Sequence, residues 1–64
     1  MVTKTEFESQ WNNCKEDVKK IRLTSGDCVF ATCYWLAYST IMFEVDGFQI
    51  GVFNFDNIKG IECE

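Results

Sequence analysis

Four cysteines, Cys14, Cys28, Cys33 and Cys63, stand in a 64-residue chain that contains no histidine. Thiols can ligate zinc, pair as disulfides or attack a substrate as nucleophiles. Zinc sites gather closely spaced cysteines, commonly C-x-x-C, often completed by histidine. No C-x-x-C pair occurs here, so no metal and no cofactor are expected. A cysteine nucleophile needs a neighbouring base or another activating group, and none is visible. Unpaired cysteines behave as small apolar side chains and are among the most buried residue types. Free, packed thiols are therefore the expectation for all four.

Other catalytic patterns are missing. General acid–base work near neutral pH most often uses histidine. The carboxylates form no catalytic pair: Asp56 falls in a turn, and Glu62 and Glu64 end the chain. Gly47 and Gly51 are separated by strand-forming residues and make no phosphate loop. The chain is expected not to be an enzyme. The most unusual local run is aromatic, Tyr34-Trp35-Leu36-Ala37-Tyr38. Adjacent strand residues point to opposite faces, so one of Tyr34 and Trp35 should be outside. Exposed aromatics serve protein interfaces or stack on bases. The expected arrangement puts Trp35 beneath a helix beside Trp11, with Tyr34 lining a subunit contact.

These residues need elements to hold them. Thr3 and Glu6 form an S/T-x-x-E capping box, and Val2 with Phe7 makes the matching hydrophobic staple. Thr5 with Glu8 offers a second register. Phe7, Trp11, Cys14, Val18 and Ile21 follow at helical spacing, with Glu8, Asn12, Lys15, Glu16, Lys19 and Lys20 opposite. The stripe is too short for a coiled coil, so a helix over about 3–20 that packs on a sheet is predicted. From position 21 the period becomes two. Strands are predicted over 21–24, 28–36, 40–45, 48–55 and 58–63, the last with a helical turn at its start. Ser25-Gly26-Asp27 and Asp46-Gly47 mark tight turns, the second a strong hairpin signal. Short turns make antiparallel neighbours. The whole chain, 1–64, reads as one α+β, mostly β domain: an N-terminal amphipathic helix and a five-stranded antiparallel SH3-like barrel.

Bulk composition narrows the function classes. The chain is 47% hydrophobic and 16% aromatic, lacks proline, and carries a net charge of −4. So short a chain usually needs a staple, either disulfide, metal or oligomerisation. Acidity disfavours phosphate backbones. Lys15, Lys19, Lys20 and Arg22 cluster where they could complement a helix dipole. The N-terminal MVTKTEFESQ is too polar for a signal peptide, and no apolar run approaches the ~20 residues of a membrane helix. A cytoplasmic protein without a membrane association is expected.

The order of helix and five strands resembles the Sm-like family, including its bacterial Hfq branch. The segment Ile21-Arg22-Leu23-Thr24-Ser25-Gly26-Asp27-Cys28-Val29-Phe30-Ala31 is similar to the first family motif. Gly26 stands at the family glycine, and Ala31 stands where a second glycine is usual. Asn54-Phe55-Asp56-Asn57-Ile58 resembles the turn of the second motif. The resemblance implies a homo-oligomeric ring assembled by edge strands, the fourth strand of one subunit pairing with the fifth of the next, with a uridine pocket for RNA. This chain departs from the pattern at Ala37, Ser39, Ile41 and Asn54, where many members carry an acid, a stacking aromatic or histidine, asparagine and arginine. The candidate binding residues that remain are Tyr38, Ser39, Phe53, Asn54, Phe55, Asp56 and Asn57. Two functions are thus expected: an oligomeric Sm-like binding module for RNA or protein, or a small acidic phage-type inhibitor that blocks a host protein or sequesters a small ligand.

Overall fold

The computed structural model describes residues 2–63. The capping signals act where expected. Thr3 Oγ1 accepts from the Glu6 N–H at 3.1 Å, and Glu6 Oε1 accepts from the Thr3 N–H at 3.3 Å. Helix α1 follows, Lys4–Asn13. Val2 and Phe7 are both buried, as the staple requires. Replacing Thr3 by Ala removes half of the box, and urea unfolding should show a loss of about 1 kcal/mol. An unchanged midpoint would mean that the cap contributes nothing.

The helix is shorter than predicted. It stops at Asn13, and Cys14 takes an extended conformation as its C-cap. The helical stripe and a strand competed for Ile21, and the strand prevailed. In strand β1, Lys19–Leu23, Ile21 is fully buried, with paired strands on either side. Val18 is left half-exposed outside any element. The cations do not serve the helix dipole, because the last turn of α1 holds no basic residue. Lys19 Nζ instead donates to the Glu16 carbonyl at 2.6 Å and lies 4.8 Å from the Trp11 ring centroid. Lys20 and Arg22 both reach Glu62.

Among the described residues six strands form in place of the predicted five. After β1 come β2 (Cys28–Ala31), β3 (Cys33–Ala37), β4 (Thr40–Val45), β5 (Phe48–Asn54) and β6 (Ile58–Glu62). They build two three-stranded antiparallel sheets, ordered β2-β1-β6 and β3-β4-β5. Neither sheet closes, so the five-stranded barrel is not present. The reason lies at two joints. Thr32 breaks the run 28–36: its N–H donates to the Glu44 carbonyl at 2.7 Å, and its Oγ1 accepts from the Asp46 N–H at 3.0 Å. These bonds turn the chain out of one sheet and into the other. A 3₁₀ turn, Phe55–Asn57, does the same between β5 and β6. At the β4–β5 hairpin Asp46 and Gly47 have φ of 51° and 87°, the left-handed pair that a two-residue turn demands.

The core lies between the sheets. Val2, Phe7, Ile21, Ala31, Ile41, Phe43, Phe55 and Ile58 form one cluster. Phe7 stands at its centre, with ring centroids 5.2 Å from Tyr34, 5.9 Å from Phe43 and 6.0 Å from Phe55. Gln10 ties the helix to β6 by accepting from the Ile61 N–H at 2.8 Å. A covalent link joins the same two elements: Cys14 and Cys63 form a disulfide, with Cα atoms 5.6 Å apart. The expectation of four free thiols therefore fails for this pair. Cys14 is buried as predicted, but its place at the C-cap of α1 brings it beside Cys63, just past the end of β6.

Candidate functional site

Strand alternation divides the β3-β4-β5 sheet into two faces. On the inner face, Tyr34 pairs across to Phe43 and then Gly51, and Leu36 to Ile41 and then Phe53. Phe43 and Ile41 are fully buried. The Phe53 ring covers Gly51 so closely that a Cβ there would meet it at 3.1 Å. The intervening row points the other way. Trp35 lies opposite Met42, and Met42 opposite Val52. Trp35 is 60% exposed and Val52 58%. Ile50 enters beside them at an irregularity in the β4–β5 register and is also exposed. The three strands thus carry one apolar row across a solvent-facing surface.

That surface is almost without charge. Only two of the chain's ten acids, Glu44 and Asp46, and none of its six bases, lie between positions 33 and 54. The Cys33 thiol donates to Glu44 Oε1 at 3.2 Å. This hydrogen bond, with burial, pushes the Cys33 thiol up from its ordinary value. The reactive thiolate is therefore disfavoured. The charges concentrate on the other sheet, where Arg22 donates to Glu62 at 2.8 Å and Lys20 stands 3.7 Å away. The Arg22 hydrogen bond holds the Glu62 carboxylate below its ordinary value. The predicted neighbour of Glu62 at the chain end, Glu64, lies outside the described residues.

The aromatic pair is arranged opposite to expectation. Tyr34 is the inner residue, 4.8 Å from Trp11 and edge-on to Phe7, and burial raises its pKa. Trp35 is the outer one. Kinking at Thr32 sets this phase, since a one-residue shift exchanges the faces of a strand.

The residues singled out from sequence gather at one end of the same sheet. Thr40 pairs with Asn54, and the Ser39 carbonyl accepts from the Phe55 N–H at 3.1 Å. Tyr38 projects from the β3–β4 turn at 94% exposure, with φ of 54°, a conformation uncommon for a bulky residue. Phe53 and Phe55 do not form a stacking platform. Phe55 is buried against Phe7, and Phe53 packs 5.8 Å from Phe43. Asn54, Asp56 and Asn57 are exposed. The Asn57 carbonyl accepts from the Thr24 N–H at 2.9 Å and so serves the fold. Of the candidate set, Tyr38, Ser39, Asn54 and Asp56 share an accessible rim. The sequence reading missed Met42, Ile50 and Val52 on the outer face. Their spacing with Trp35 was legible only once strand register was known.

No family model, no curated protein and no solved structure matches the chain. Among the described residues no helix is long and apolar enough to cross a membrane, and no cluster of acids and thiols could hold a metal ion.

Proposed function

We propose that the chain is a non-catalytic binding module that engages a protein surface through the outer face of the β3-β4-β5 sheet. The observation that carries this reading is the apolar row Trp35, Met42, Val52, in which exposed Trp35 and Val52 flank a half-buried Met42, with exposed Ile50 beside it. Large aromatics and methionine are enriched in protein interfaces, and charged residues are depleted from their centres. Both conditions hold on this face. A contiguous exposed apolar patch is uncommon on a monomer and often functional.

Nucleic acid fits the same face poorly. Phosphate binding needs lysine and arginine, and the stretch 33–54 has neither. The bases on β1 already pair with Glu62. Labelled U-rich and A-rich RNA, titrated at low salt, should show no binding. Binding that weakens steeply as salt is added would overturn the protein-surface reading in favour of RNA.

The cysteine pair bears on the compartment. Disulfides persist in oxidising surroundings and are rare in the cytosol. The Cys14–Cys63 bond therefore favours an oxidising compartment over the cytoplasm expected from the polar N-terminus. The same bond supplies the staple that so small a core requires.

A further inference from the structure

We propose that the open edge of β5 takes an extended segment of another protein as an added strand, one with apolar alternate residues and a cation at each end. The proposal rests on the protein-binding reading above and names the segment and the place where it joins the sheet.

The backbone of β5 defines the site. Its only strand neighbour is β4. The Phe55 N–H donates to the Ser39 carbonyl at 3.1 Å, a bond that flanks the Thr40–Asn54 pair. Thr40 and Asn54 are therefore a non-hydrogen-bonded pair, and by alternation so are Met42 and Val52. Residues of such pairs turn their N–H and C=O groups away from the neighbouring strand. Val52 and Asn54 thus present two donors and two acceptors to the open edge. A row of this kind is matched by the backbone of another extended chain.

The other edges are less available. Strand edges are commonly protected by charge, proline, shortness or a covering element. The edge of β6 is engaged from the N-terminal side: the Val2 N–H donates to the Ile58 carbonyl at 3.3 Å, and the Ile61 N–H to Gln10 Oε1 at 2.8 Å. Strand β2 has only 4 residues and β3 has 5, whereas β5 has 7, Phe48–Asn54, with no charge and no proline. An added strand would also cover apolar surface on both sides of the sheet, Val52 outside and half-buried Phe53 inside.

Charge selects among extended segments. Asp46 stands in the turn that enters β5 and Asp56 in the 3₁₀ turn that leaves it, and both are exposed. No base lies between positions 23 and 58 to neutralise them. The turn after β3, Tyr38-Ser39, holds no acid. A segment with cations at its ends is therefore complementary to β5. A second β5 would carry its own Asp46 and Asp56 to both ends, acid against acid, in either strand direction. The β6 strand of a second copy has its edge engaged already.

The probe is a blocked, fluorescein-labelled peptide, Arg-Val-Thr-Val-Thr-Val-Arg, titrated at low salt with protein up to about 1 mM, where weak contacts register. Its anisotropy should rise. N-methylation of each central amide of the peptide removes its donors and should weaken binding about tenfold or more. That arm leaves the protein unchanged. Val52→Pro removes the outward N–H and spares the ladder to β4, so it should weaken binding with an unchanged circular dichroism spectrum. Glutamate in place of both arginines should weaken binding too, by a margin that narrows as salt is added. In the free protein the Val52 and Asn54 amides should exchange faster than that of Phe53, and the arginine peptide should slow both.

No binding at the highest concentration would overturn the added strand, and so would binding that N-methylation leaves unaltered. If that unaltered binding shifts the Trp35 and Met42 resonances, the protein-binding face stands and only the edge falls. Protection of Val52 and Asn54 that grows with protein concentration alone would give the edge to a second copy and overturn the proposal. Absence of peptide binding together with absence of apolar-dye binding would overturn both readings.

Discussion

Replacing Cys63 by Ser is expected to destabilise the folded chain by about 4 kcal/mol, the value that loop-closure entropy gives for a cross-link of this span. The bond joins residues 49 positions apart, so it removes a large share of the freedom of the unfolded chain. A 64-residue domain has a total stability of only about 3–10 kcal/mol. The loss should therefore unfold a large fraction of the molecules at moderate temperature. Urea unfolding with and without reductant measures the effect. A second observation checks its cause: under denaturing, non-reducing conditions only Cys28 and Cys33 should react with a thiol reagent. Four reactive thiols, or a midpoint unmoved by reductant, would refute the covalent staple. Reduction should also loosen α1 from β6, leaving the hydrogen bond from the Ile61 N–H to Gln10 Oε1 to tie them.

Phe7→Ala is expected to cost about 3–5 kcal/mol, the range for removing a large aromatic from a close-packed core. The side chain is fully buried and has four aromatic neighbours, Trp11, Tyr34, Phe43 and Phe55. Those rings are held by the helix, the β3-β4-β5 sheet and the 3₁₀ turn, so the cavity cannot easily collapse. Phe48→Ala is the matched control. Phe48 is 74% exposed, and surface changes of this kind stay within about 0.5 kcal/mol. Equal losses at the two positions would show that Phe7 is not the centre of the core. In combination with the serine change, Phe7→Ala should leave no cooperative unfolding transition.

These two effects differ in how far the sequence foretold them. Phe7 was legible as a staple partner and as the first member of an apolar stripe. The disulfide was not, because proximity between positions 14 and 63 depends on how the helix lies along the last strand. The candidate rim shows the same division. Asp56 and Asn57 were readable as a turn, and Tyr38 as the end of an aromatic run. Their nearness to one another came from the pairing of Thr40 with Asn54. The outer row was hidden because Trp35, Met42 and Val52 belong to three strands. No period within one strand reveals a row that runs across them.

Local rules in the sequence determined the helix start at Thr3, the left-handed hairpin at Asp46-Gly47, the strand character of 40–45 and the existence of an aromatic core. Each depends on backbone preferences or side-chain spacing within a few residues. Tertiary structure decided where the helix ends, that Ile21 joins a strand, that Tyr34 faces inward and Trp35 outward, and that six strands make two open sheets. Those outcomes turn on the kink at Thr32 and the turn at Phe55–Asn57. A kink that displaces a strand's phase by one residue exchanges its inner and outer faces. Only the packing of both sheets around Phe7 selects between the two phases.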